Sequence, residues 1–165
     1  LAQGLLKLPV WIPQLSFEKP AQPSRMKVGV ASNGLGCEAA RLPEAKRNTA
    51  MMVDDFQHEH GTCFHVKDKG LVVMTSCGHR GIVNTVQAAI NVSGITKVHA
   101  ILGGFHLMPM PDAYARETAK ALAGFNPDWL IPMHCSGETF ITACKEAMPG
   151  KVLRSSTGTG FVFGA

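Results

Sequence analysis

Gly70 to Asn84 reads GLVVMTSCGHRGIVN, and the change of pattern inside it decides the fold. Leu71, Val72, Val73 and Met74 form a short unbroken apolar run, as in a strand covered on both faces. The run stops at Thr75, Ser76, Cys77, Gly78 and His79, with a second glycine at Gly81. Ile82, Val83, Val86, Ala89 and Ile90 then recur at helical spacing. A thiol and an imidazole therefore stand two residues apart at the C-terminal mouth of a buried strand. Open α/β sheets place ligands at that edge.

Downstream, strand and helix patterns alternate, which calls for parallel strands joined by right-handed crossovers. The pattern predicts helix 80–92, strand 97–102 (KVHAIL), helix 112–124 (DAYARETAKALAG), strand 128–132 (DWLIP) and helix 137–148, ending near Pro149-Gly150. The expected sheet has residues 71–75, 98–102 and 129–132 as its central strands and all three helices on one face. Each strand end is followed by a histidine, in SCGHRG, GGFHLMP and PMHCSGE. One histidine beside a strand is most often structural. Three at neighbouring parallel strand mouths point to a shared ligand sphere, since neutral imidazole is the commonest metal ligand.

Upstream, Lys67-Asp68-Lys69-Gly70 reads as a turn that makes a hairpin of 62–66 and the central strand. Residues 1–24 hold Pro9, Pro13, Pro20 and Pro23 and read as an irregular arm, because proline suits neither a helix interior nor a central strand. Residues 25–31 (RMKVGVA) suit one strand, and 32–48 a long loop.

Composition bounds the rest. With 165 residues, 45% hydrophobic and 17% charged, the chain fits one folded domain rather than a disordered segment. The net charge of +4 comes from scattered Lys and Arg, which argues against a nucleic-acid partner. No apolar run approaches the roughly 18 residues of a membrane span, and LAQGLLKLPVWIP lacks the build of a secretory signal. The odd set Cys37, Cys63, Cys77, Cys135 and Cys144 has no disulfide-framework spacing and favours reduced thiols in a cytoplasm.

Five stretches together carry a resemblance: DDFQHEH (54–60), KGLVVMTSCGHRGIVNTV (69–86), ILGGFHL (101–107), IPMHCSGE (131–138) and SSTGTGFVF (155–163). From about residue 51 onward the chain resembles the C-terminal part of a metallo-β-lactamase-fold hydrolase. It is most similar to the dihydropteroate-ribofuranosylaminobenzene phosphate synthase-like branch. The fold class is thus α/β (α+β in some schemes), with this chain as half or more of an αββα sandwich. Its order is an irregular arm and loop over 1–50, then a β-hairpin followed by βαβαβα over 51–165.

The resemblance implies one or two metal ions at the sheet edge, usually zinc, with iron or manganese as alternatives. It also implies hydrolysis, in which a metal-bound hydroxide attacks an ester- or phosphoester-type substrate, a small molecule for which a phosphorylated form is one option. The family's HxHxDH motif, which supplies further ligands and a general-base aspartate, is not in this chain, whose opening LAQGLLKLPVW resembles the segment that follows it. The expectation is that the chain is catalytically incomplete without an N-terminal half or a partner chain that also covers the second sheet face. The alternatives are a degenerate binding or scaffold domain of the same fold, or a transferase acting on a pterin or phosphate substrate.

On this reading His134 matches the family's last metal histidine. Cys77 and His79 stand where relatives place the ligand after the hairpin strand, and a thiolate there favours zinc over magnesium. His106 is an alternative ligand or a substrate contact, beyond a Gly-Gly that permits close backbone approach. His58 and His60 form an HxH pair suited to the third ligand position or to a solvated loop. Ser136 is expected to cap the last helix beside an anion site. Cys135 is expected to point away from its neighbour His134, and His65 and His99 to be structural. No carboxylate is expected beside the strand-mouth histidines.

Overall fold

In the computed structural model, residues 8–11, 27–29, 51–53 and 59–163 are described. In chain order the elements are β1 (Leu8–Trp11), β2 (Lys27–Gly29), β3 (Met51–Val53), β4 (His60–Val66), β5 (Gly70–Thr75), α1 (Ile82–Ser93), β6 (Val98–Gly104), α2 (Asp112–Gly124), β7 (Trp129–Met133) and α3 (Glu138–Ala147). Two compact units divide them. One joins Leu1–Leu15 to Glu59–Ala165, and the other is Ser16–His58.

The second unit holds β2 and β3 as an antiparallel pair, Lys27 opposite Val53 and Gly29 opposite Met51. The strand expected over 25–31 is thus three residues long. The loop expected over 32–48 lies outside the described residues.

The first unit is one mixed sheet in the order β1-β4-β5-β6-β7. Its hairpin closes where Asp68 (φ 62°) and Gly70 (φ 118°) take left-handed backbone angles, with the Lys69 N–H donating to Val66 O at 3.1 Å. The register that follows sets Phe64 opposite Val72 and Gly61 opposite Thr75. From β5 the sheet continues in parallel through β6 to β7, Val73 beside Ile101 and Ile101 beside Leu130. The crossover α1 ends where Gly94 (φ 70°) turns its N–H back to Ile90 O, the usual role of glycine at that position. Pro111 precedes α2, and Asp112 places a negative charge in its first turn.

Two expectations give way here. Leu8–Trp11 is an edge strand rather than irregular arm, antiparallel to β4 with Pro9 opposite Thr62. An edge position tolerates a residue without an N–H, so the prolines excluded only a central place. At the other end β7 is an edge strand and not a central one, extended by a parallel bridge from Leu130 to Val152.

The sheet separates two apolar layers. On one face Leu71, Val73, Val98, Ile101 and Leu130 pack with Ile82, Val86 and Ala89 of α1, Ala115, Ala119 and Leu122 of α2, and Phe140, Ala143 and Cys144 of α3. All three helices thus lie on one face, as the alternation requires. The other face presents Val72, Ala100, Leu102 and Ile131, against which Phe64, Val66, Met133, Leu153, Phe161 and Phe163 pack. Among the described residues no helix covers that second layer, and Met74 on β5 stays exposed. None of the described helices is long and apolar enough to cross a membrane.

Candidate metal centre

Three strand ends converge because the backbone between them has no room for side chains. A Cβ on Gly103 (φ 125°) would fall 1.9 Å from Thr75 O, and one on Gly104 would fall 2.4 Å from Ser76 O and 3.1 Å from Cys135 Sγ. Glycine alone allows this approach. In consequence the Gly104 N–H reaches Ser76 O at 3.2 Å, and the Met108 N–H reaches Cys135 O at 3.0 Å. The elbow after β5, the segment after β6 and the turn after β7 are locked together.

On this frame two pairs form, His79 with His106 and Cys77 with His134. The His79 and His106 rings sit edge to face with centroids 4.6 Å apart, and His134 is close enough to act on the charge state of His106. Cys77 Sγ lies 3.9 Å from His134 Nδ1. Cys77, His134 and Cys135 each offer a donor atom within 4.8 Å of the other two. His106 (φ 49°) and His134 (φ 46°) are two of four described non-glycine residues with positive φ. Such backbone angles cost energy and persist where the surroundings impose them, often at functional sites.

One feature of the site is absent from the sequence reading. Glu59, 7% exposed, sets its Oε2 3.3 Å from His79 Nδ1 and accepts the Arg80 N–H at 3.0 Å. A carboxylate does stand beside the strand-mouth histidines, correcting the expectation of none. Burial pushes the Glu59 carboxyl up, but the His79 hydrogen bond and charge, with the N–H groups of Arg80 and Gly78, outweigh it and leave the pKa lowered. Burial and the charge of His79 push the His106 imidazole down, against Glu59. That favours the neutral ring that ligation needs. Burial first, then Cys135 and Glu59, raise the Cys77 thiol to about 11.

Other expectations resolve individually. Cys135 does not point away from the site: residues His134–Ser136 form a 3-10 turn, where side chains fan out instead of alternating across an extended strand. Its Sγ accepts the His106 N–H at 3.2 Å. Ser136 does not cap α3. Gly137 holds that position without a side-chain cap, and the buried Ser136 hydroxyl donates back to Met133 O at 2.6 Å. His60 opens β4, exposed and opposite Trp11, and the grouped donors do not include it. His58 lies outside the described residues. His99 is buried, with Nδ1 2.7 Å from Asp128 Oδ2 and its ring edge-on to Phe163.

The donor set suits a zinc-type ion. For a tetrahedral site with Zn–S near 2.3 Å and Zn–N near 2.1 Å, a sulfur and a nitrogen stand about 3.6 Å apart. The observed 3.9 Å between Cys77 and His134 needs only a small closure.

No protein-family model matches the chain. It is 37% identical over 90 residues to a 7,8-dihydropterin-6-methyl-4-(β-D-ribofuranosyl)-aminobenzene-5′-phosphate synthase of Methanocaldococcus jannaschii, a match over 54% of this chain and 30% of that protein. An uncharacterized protein of the same organism is 34% identical over 74 residues, 45% of this chain and 27% of its own length. Among solved structures, a crystal structure of a metal-dependent hydrolase of the β-lactamase superfamily aligns with a TM-score of 0.65 and 28% identity, over 72% of this chain and 45% of that one. The chain thus spans under a third of the curated relatives it matches and less than half of the hydrolase.

Proposed function

We propose, from the premise that this chain has a metallo-β-lactamase-like fold and spans less than half of the hydrolase it matches, that it forms part of a metal-dependent hydrolase acting on an ester- or phosphoester-type small molecule. The observation that carries the reading is the gathering of donor atoms of Cys77, His134 and Cys135 within 4.8 Å of one another at the mouths of adjacent parallel strands, where His79 and His106 also pack together. Cys77 and His134 would hold the ion, with Cys135 in the same donor group, and His79, the third ligand expected from the resemblance, would join them from its place beside His106. A bound zinc supplies a Lewis acid and lowers the pKa of coordinated water.

The protein's own groups supply position. Glu59 orients His79 through Nδ1, and the glycine pair fixes β6 against the elbow. Ligation by Cys77 would release a proton, because burial holds its thiol protonated at neutral pH. The sheet face formed by Val72, Ala100, Leu102 and Ile131 supports a further expectation, that an additional segment or partner chain packs there and brings the remaining ligands. The described cysteines are free thiols, which supports a reducing compartment such as the cytoplasm.

A second reading rests on the 37% identity to the synthase: the same centre would serve group transfer on a phosphorylated pterin-type substrate. One experiment addresses both. Zinc-loaded protein, complemented with a metallo-β-lactamase N-terminal half, is assayed against a phosphodiester, a lactone and a thioester, and against a pterin with a phosphorylated acceptor. The hydrolase reading expects turnover in the first group and its loss in His79→Ala. Turnover of the pterin pair alone would favour transfer, and equal rates for parent and variant would remove His79 from the chemistry.

A further inference from the structure

Glu59 reaches the site from a different part of the chain than Cys77, His79, His106 or His134. It precedes β4, and continuing the register that sets Gly61 opposite Thr75 brings residue 59 alongside the elbow after β5. There its carboxyl group is buried and takes three donors from one short stretch: the ring of His79 and the backbone N–H groups of the two residues flanking it, Gly78 and Arg80. A carboxylate in contact with both flanks and the ring fixes where the imidazole stands and how it is turned.

We infer that Glu59 is a positioning residue that keeps His79 in the tautomer with its proton on Nδ1, leaving the Nε2 lone pair as the ring's donor. This deepens the proposed function and rests on it for the use to which Nε2 is put. An ionised carboxylate is acceptor-only, so the nitrogen 3.3 Å from it must carry the hydrogen. A ring with its proton fixed on one nitrogen presents the other to a metal without a tautomer change, and an accepting carboxylate raises that nitrogen's basicity.

His99 provides an internal comparison. Its Nδ1 also faces a carboxylate, Asp128, at 2.7 Å. That carboxylate is 42% exposed, and the ring neighbour of His99 is Phe163 rather than a second histidine.

Long-range ¹H–¹⁵N correlation of the imidazole rings in metal-free protein, at alkaline pH where imidazole is neutral, reads the tautomer directly. Parent His79 is expected to show Nδ1 as the protonated nitrogen and Nε2 as the unprotonated one. In Glu59→Ala and Glu59→Gln the signal should shift toward the opposite tautomer, while His99 keeps its proton on Nδ1. Zinc affinity, from competition with a chelator, should fall roughly 10- to 100-fold in the variants. The parent spectrum stands alone should a variant fail to fold. His79 protonated on Nε2 in the parent, or unchanged tautomer and affinity in both variants, would overturn the inference. If the tautomers behave as stated but the parent binds no zinc, the role of Glu59 holds and the metal reading falls. Zinc binding with the wrong His79 tautomer has the reverse meaning.

Discussion

Cys77 Sγ stands 3.9 Å from His134 Nδ1, although 57 residues of sequence separate them. The strand between their strands is β6, so the contact passes across a strand mouth that must be almost without side chains. Gly103 and Gly104 make it so. Their absent Cβ atoms are the space in which Thr75 O and Ser76 O lie.

Gly103→Ala should therefore destabilise the fold by roughly 2–5 kcal/mol, combining a left-handed backbone angle with a steric clash. Gly94→Ala shares the positive φ, but nothing lies within 4 Å of its Cβ. It should cost only about 1–2 kcal/mol. Denaturant midpoints for the pair separate the two causes. Equal losses would mean that close approach at β6 contributes nothing.

Acid should loosen the site through Glu59. Its pKa is lowered in the folded protein from an ordinary value of 4.5, so the folded state holds this proton less tightly than the unfolded one. The stability it contributes is complete above that ordinary value and is lost as pH falls below it, through the folded pKa. Unfolding free energies measured between neutral pH and acid should decline less steeply in Glu59→Gln than in the parent. Parallel curves would show that the carboxyl group titrates alike in both states.

Alkali should act through Cys144, which is fully buried among the helices. Burial raises its thiol from 9.0 to about 12. The unfolded state ionises first, so stability present below the unfolded value is lost as pH rises from about 9 toward 12. Cys144→Ala should lower stability at neutral pH through the lost packing and flatten the alkaline decline. An undiminished alkaline slope in that variant would assign the decline to other groups.

Much of this arrangement is legible in the sequence because it is local. The apolar run Leu71 to Met74 announces β5, and Pro111 and Gly124 bracket α2, whose bounds fall where its period begins and ends. The histidines after the strands are visible for the same reason. What is hidden depends on pairing between distant segments. Glu59 meets His79 only through the antiparallel register of β4 and β5, yet counting back across the turn from Gly70 would have placed it there. Cys135 is misread because an extended strand is assumed where the backbone makes a 3-10 turn. Leu8–Trp11 is obscured by its proline, since an edge place in the sheet is set by what lies beside it.

Apolar packing between sheet and helices should prove independent of the metal. Phe140, fully buried and edge-on to Phe105, should cost about 3–5 kcal/mol when replaced by alanine. Any zinc bound by the folded fraction of Phe140→Ala should keep the parental stoichiometry. Loss of zinc from fully folded variant would mean that the centre depends on that packing.

The central claim is that Cys77, His79 and His134 form one metal centre, and metal content tests it most directly. Protein refolded with zinc, dialysed and analysed by elemental mass spectrometry should carry at least one ion per chain, as should the control His99→Ala. His134→Ala and Cys77→Ala should bind with sharply reduced affinity. Equal zinc in His134→Ala and His99→Ala, or no zinc in folded parent protein, would contradict the account.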